Sequence, residues 1–336
     1  MSIKHCIIHG INSAANNQTV ELALRETEIP PEDSVVSLFT QLKQSLQRSA
    51  TRQYGLFDPE QTDNPLPSWL TKFEQQELGF VSTTTKAMEQ LKLILTDFDE
   101  PLSAHILFVV EELMDHQYLY LFWINHSEAQ YIDSQLEVEN LSYINTSKIN
   151  YVLKLDFSQK AIKDWQQYLT LQTSRGNANL SHAFLRFCGF ISGVNLQQQT
   201  SEFLDIVDQY TDTLDKEESN PTKNAIVNYC VEQDMQGNPI NFDSLSQVLN
   251  ENEPQKFSKF VTENQQEPTE EIYAHRSSLK KYVRFYGREK DLSISFSSDQ
   301  MEQNIVFSPE DGSLTFKQVP KSLQAQLATY LKKQNR

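Results

Sequence analysis

The chain has 336 residues, with 29 Lys and Arg against 45 Asp and Glu, a formal charge of −16 and 10% aromatic residues. That aromatic content excludes a wholly disordered chain, and the longest clean apolar run, Tyr118 to Ile124, is about a third of the roughly 20 residues a membrane helix needs. Three dispersed cysteines, Cys6, Cys188 and Cys230, are too few for a disulfide framework, and the N-terminus lacks the pattern of a secretory signal, so a cytoplasmic protein is expected.

In chain order, the pattern opens with strands. Ile3 to Ile11 is β-branched and apolar, and Val20, Leu22 and Leu24 alternate with Glu21, Ala23 and Arg25, the two-residue period of a half-buried strand. After Pro30 and Pro31, Asp33 or Ser34 is a fair cap for a helix with Val35, Phe39, Leu42 and Leu46 on one face. That helix ends before Tyr54, and a proline-containing loop from Asp58 to Pro67 leads to two helical stretches. The clearer stripe among these is Ala87, Met88, Leu91, Ile94 and Leu95. His105 to Val110 and Tyr118 to Ile124 read as an aromatic-rich hairpin, and Ile149 to Phe157 alternates again. These strands should share one sheet with helices packed on it.

After Phe157 the period changes from 2 to 3.6. Leu180, Ala183, Phe184, Phe187, Cys188 and Ile191 form an apolar helical stripe, followed by Phe203, Ile206, Val207, Tyr210 and Leu214, and by Ala225, Ile226, Tyr229 and Cys230. Shorter helices are expected at 242–249 and 255–261, and a polar linker at 263–271. The last segment mixes a basic stretch, short strands around Leu292, Ile305 and Leu314, a hairpin loop at Asp311-Gly312, and a terminal helix from Lys321. The fold class expected is α+β: a mixed or antiparallel sheet with packed helices (1–157), an acidic helical region (158–265), and a small basic β-hairpin/helix C-terminal domain (272–336).

Chemistry is sparse. Neither a dinucleotide-binding nor a P-loop glycine pattern exists, and no nucleophile elbow marks a serine. His5 and His9 would lie roughly 13 Å apart along a strand, too far to share an ion. Cys188 falls on an apolar helix face, where a thiol is normally inert. No catalytic residue, metal site or cofactor is expected, and an uncharted enzyme remains only a remote alternative. Charge is more informative. Residues 1–190 carry a net −9, residues 191–275 a net −12 and residues 276–336 a net +5.

The positive charge concentrates in Arg276, Lys280, Lys281, Arg284, Arg288 and Lys290, with Tyr282, Phe285 and Tyr286 between them. On a helix from Arg276 to Phe285, Arg276, Lys280 and Arg284 would share one face. Such a stripe suits phosphate contact, and it equally suits a solvated exterior.

YGLF (Tyr54 to Phe57), YINTSKINYVLKLDFS (Tyr143 to Ser158) and YLTLQTSRGNANLSHAFLRFCGF (Tyr168 to Phe190) appear in that order. HRSSLKKYVRFYG (His275 to Gly287), NIVFSPEDGSLTF (Asn304 to Phe316) and a terminal VPKSLQAQL follow. In order and spacing these resemble the bacterial 37-kDa nucleoid-associated protein family (NdpA/YejK type), over nearly the whole chain. The resemblance implies a non-enzymatic bacterial protein associated with the nucleoid. Its expected partner is DNA, touched through the C-terminal stripe helped by Arg175 and Arg186. The alternative is an acidic module, with Glu202, Asp205, Asp208 and Asp212 on its surface, that reaches the nucleoid by docking a basic DNA-handling protein such as a topoisomerase. No membrane is expected, and a homodimer stays open.

Overall fold

Strand-forming residues crowd the first half of the chain and condense into one eight-stranded sheet. The computed structural model describes residues 2–13, 19–98, 100–114, 116–161, 167–174, 176–193, 195–265, 269–297, 300–301 and 303–334. They fall into two units, Met1–Asn195 and Leu196–Arg336.

The first unit runs β1 (Ser2–Ser13), β2 (Glu21–Ala23), α1 (Asp33–Arg48), β3 (Gln53–Phe57), α2 (Leu66–Glu74), α3 (Phe80–Ile94), β4 (Leu102–Leu113) and β5 (His116–Ile124). It continues with β6 (His126–Ile132), β7 (Val138–Ile144), β8 (Tyr151–Asp156), α4 (Phe157–Lys160), β9 (Leu169–Gln172), α5 (Ala178–Cys188) and β10 (Phe190–Ser192). The sheet order is β10-β3-β9-β8-β5-β4-β1-β2, and its paired strands are antiparallel.

β4 and β5 are buried on both faces over 106–111 and 119–124, which is why they read as continuous apolar runs. β8 alternates in sequence yet is likewise buried along nearly its whole length, because it lies inside the sheet. On one face Ile106, Phe108, Leu121, Trp123, Leu153 and Leu155 pack under α2, α3 and α5. On the other, Leu107, Val109, Tyr120, Phe122 and Val152 meet Phe39, Leu42 and Leu46 of α1. This second face also holds Glu111, which is fully buried, accepts from Lys43 Nζ at 2.7 Å and takes the Tyr120 hydroxyl at 3.1 Å.

Three sequence expectations change here. The helix expected to reach Ile191 stops at Cys188, because Gly189 turns left-handed (φ +59). Ile191 then pairs with Leu56 as part of β10. Because β9 and β10 return to the sheet, the change of period at Phe157 does not mark the sheet's end. α1 begins at Asp33 after Glu32, with no side-chain cap bond. Residues 126–144, given no assignment from pattern, form a separate hairpin, β6–β7, inserted between β5 and β8.

The second unit contains α6 (Leu196–Asp212), α7 (Lys216–Gln236), β11 (Ile240–Asn241), α8 (Phe242–Leu249), α9 (Lys256–Asn264), β12 (Glu271–Ile272) and α10 (Arg276–Tyr282). β13 (Arg284–Glu289), β14 (Leu292–Ser297), β15 (Ile305–Ser308), β16 (Ser313–Phe316) and α11 (Lys321–Gln334) follow. Its core gathers the expected stripes: Phe203, Val207 and Tyr210 from α6, and Ile226 and Cys230 from α7, against Phe242, Leu245, Phe257, Val261 and Leu279. Among the described residues, no helix is long and apolar enough to cross a membrane.

Candidate nucleic-acid interface

The basic stretch does not form one helix. α10 ends at Tyr282, whose hydroxyl reaches Asp208 on α6 at 2.6 Å, and Lys223 of α7 meets the same carboxylate at 2.5 Å. Burial, and then Asp208, raise the Tyr282 hydroxyl pKa. Beyond Val283 the chain extends as β13, since the aromatic Phe285 and Tyr286 favour the pleat. The expected face of Arg276, Lys280 and Arg284 at helical spacing is therefore absent.

Instead β13 and β14 make a two-stranded ribbon with two distinct faces. Register sets Arg284, Tyr286 and Arg288 opposite Ser297, Ser295 and Ser293 on one face. Phe285 opposes Phe296 and Gly287 opposes Ile294 on the other. The apolar face is anchored: Phe285 and Phe296 lie 5.4 Å apart by ring centroids, and Phe296 meets Phe316 of β16 at 6.5 Å. On the basic face Arg284 Nη2 donates to Ser295 Oγ at 3.0 Å. Lys290 closes the turn in a left-handed conformation (φ +41). Among the described residues, Lys280, Lys281, Arg284, Arg288 and Lys290 are all exposed and have no acidic ion-pair partner.

Arg276 differs from these. Its Nε donates to Asp234 of α7, and the two side chains are only 14% and 8% exposed. It ties α10 to α7 and does not present a cation to solvent. Arg186 lies in the first unit, at the last turn of α5, 3.8 Å from Asp63 in an exposed pair. Arg175 lies outside the described residues.

The four acidic candidates all sit on α6 but differ in use. Asp208 is held by Lys223 and Tyr282, and Glu202 accepts from Gln198 at 2.9 Å. Asp205 and Asp212 are exposed. The residues that pattern reading missed are the serines of β14. Their signal was the alternation Ser293, Ser295, Ser297 across a two-residue turn from Arg288.

Reactive chemistry is muted elsewhere. The three cysteines are buried free thiols; burial, with Glu28, pushes Cys6 up to about 11, and burial raises Cys188 and Cys230. His9 is enclosed between Thr84 and the backbone of Arg25. Among the described residues, no three His, Cys, Asp or Glu side chains converge as ligands for one metal ion.

What fold and site define together is an acidic α+β chain in which Lys280, Lys281, Arg284, Arg288 and Lys290 lie on or next to one exposed strand ribbon. The model of a family described as nucleoid-associated protein YejK matches residues 7–324. The chain belongs to that family. It is 25% identical over 330 residues to nucleoid-associated proteins of Pseudomonas putida and Azotobacter vinelandii, covering 97% of this chain and 98% of each relative. A nucleoid-associated protein of Pseudomonas syringae pv. tomato is 23% identical over the same share of this chain and 99% of its own length.

Proposed function

We propose that this chain works in the bacterial cytoplasm as a non-enzymatic protein of the nucleoid, and that it touches the DNA backbone directly through the β13–β14 ribbon. The observation that carries this reading is the ribbon's open face, where Arg284 and Arg288 flank Tyr286 beside three serine hydroxyls. Guanidinium groups bind phosphate with two parallel hydrogen bonds, and hydroxyls add neutral donors. Lys290 at the turn and Lys280 and Lys281 at the end of α10 extend the same positive charge. An overall charge of −16 opposes approach, but charges beyond about 8 Å are largely screened at physiological salt.

Phosphate contact of this kind is sequence-tolerant and steeply salt-dependent. With five cations engaged, the log–log slope of affinity against salt on duplex DNA should be about −4 to −5. Replacing Arg284, Arg288 and Lys290 together with Ala should flatten that slope by about 2 to 3 and weaken binding alike on all sequences. Full-length protein titrated with unrelated duplexes across a salt series measures both. Unchanged affinity in the triple variant, or no binding at about 50 mM salt, would overturn direct contact. The exposed Asp205 and Asp212 favour a second reading, in which a basic DNA-handling protein docks on α6. Under that reading Asp205→Asn with Asp212→Asn would release the protein from the nucleoid, while the ribbon substitutions would not.

A further inference from the structure

β13 sets Arg284, Tyr286 and Arg288 in a row on the basic face of the ribbon, each two residues from the next. Residues two apart on an antiparallel strand are separated by about 6.8 Å, and their side chains stand roughly perpendicular to the sheet. Successive bases of a nucleic-acid strand stack at about 3.4 Å. One base held flat between two planar groups therefore needs about 6.8 Å, which is the spacing the pleat provides on each side of Tyr286.

Tyr286 is 68% exposed. Across the ribbon it faces Ser295, with Ser293 and Ser297 on either side, side chains too short to cover a phenol ring. Among the described residues neither its ring nor its hydroxyl has a partner. Phe285 and Phe296 are turned to the opposite face, where Phe296 meets Phe316, so Tyr286 takes no part in that aromatic cluster. Arg284 is steered: its Nη2 donates to Ser295 Oγ at 3.0 Å, which draws the guanidinium towards the residue directly opposite Tyr286.

Paired DNA has no use for such a ring. In a duplex each base is stacked on both sides and offers only its edges, which are read by side chains with paired donors and acceptors. Tyr286 has a single hydroxyl. An unpaired base instead offers a π-face of any sequence, to an aromatic ring or to a guanidinium plane. Given direct contact by the ribbon, on which this inference rests, we propose that its preferred ligand is an unpaired nucleic-acid strand. One base stacks on each face of Tyr286, towards Arg284 and Arg288, and the two guanidiniums with Lys290 hold the adjoining phosphates. Opened duplex supplies such a strand, and a transcript supplies the same chemistry.

Full-length protein is titrated with oligo(dT), with an abasic strand of the same length and with a duplex, across a salt series. With the same five cations engaged, the slope should be about −3.5 on single strands and about −4.5 on duplex. At about 150 mM salt oligo(dT) should nevertheless bind more tightly than duplex. Tyr286→Ala should cut the ratio of oligo(dT) to duplex affinity by about 5- to 150-fold, the loss that follows removal of a stacking ring. Tyr286→Phe, which keeps the ring, should restore the ratio. An unchanged melting temperature confirms that each variant is folded. A natural chain with a ratio of one or less overturns the stacking site and leaves phosphate contact standing. So does a ratio that survives Tyr286→Ala, or an abasic strand bound as tightly as oligo(dT). Failure to bind any of the three at about 50 mM salt overturns phosphate contact and stacking together. Oligo(U) beside oligo(dT) separates the two sources: the tighter of them marks transcript or opened duplex, and either result supports the site when Tyr286→Ala weakens it.

Discussion

His9 shows how one buried side chain couples stability to pH. It is 1% exposed, its Nε2 lies 3.0 Å from Thr84 Oγ1, and its Nδ1 accepts the Arg25 backbone N–H at 3.2 Å. The imidazole is therefore held neutral, with its proton on Nε2. Burial, and then the charge of Arg25, pull its pKa down to about 4, against about 6.5 in an unfolded chain. Between those values the unfolded state binds the extra proton, so stability rises with pH there. It should be lost as pH falls from about 6.5 towards about 4, by up to about 3 kcal/mol. Urea unfolding at neutral and acid pH checks this, and His9→Gln should flatten the dependence. Arg276 and Asp234 form a largely buried ion pair. Removing one partner of a buried ion pair strands the other, at about 3–5 kcal/mol. Asp234→Ala should thus lower the second unit's unfolding free energy by about that amount. Arg276→Ala should do the same yet leave the DNA salt slope unchanged, which separates its role from that of Arg284 and Arg288.

Elements are decided by competition between periods and by close fits. In the stretch from Arg276 to Lys290 a helical spacing (Arg276, Lys280, Arg284) overlaps a strand alternation (Arg284, Tyr286, Arg288). Both are legible in sequence. The choice falls on the chain turning after Tyr282, where Asp208 and Lys223 converge, and on Phe285 finding Phe296 and, through it, Phe316. The YGLF segment supplies a sharper case. A Cβ at Gly55 would lie 2.0 Å from the carbonyl oxygen of Ile191 and 2.9 Å from the ring of Phe190. Gly55→Ala should therefore push β10 off β3, with a loss of about 1–3 kcal/mol, the usual cost of overpacking. Denaturant unfolding measures the loss, and faster hydrogen exchange at Ile191 and Ser192 would locate it. Gly287→Ala offers the control, since nothing lies within 4 Å of a Cβ there.

At the scale of the molecule, apolar cores close inside each unit, so the segment 196–336 should fold alone. Its expression should yield one cooperative, largely helical melting transition, and it should keep the salt slope of the full chain because Lys280, Lys281, Arg284, Arg288 and Lys290 all lie within it. A segment that unfolds non-cooperatively would overturn this prediction. The charge contrast along the chain was legible from composition: net −12 over residues 191–275 and net +5 over residues 276–336. The individual roles of those charges were not. Arg276 counts as a cation in sequence but is neutralised by a residue 42 positions earlier, and Asp208 is drawn in by partners 15 and 74 positions away.

The sequence by itself determined the α+β class, the strands around Phe108, Phe122 and Leu153, the helices of the second unit and the polarity of charge, because each depends on hydrophobic period and composition within about a dozen residues. Only the tertiary structure decided that β9 and β10 return to the sheet, that residues 126–144 form a separate two-stranded hairpin, and that the basic stretch divides between a buried ion pair and an open ribbon. Those outcomes depend on partners far along the chain. Strand pairing and ion pairing across such distances leave no periodic trace in the residues that take part.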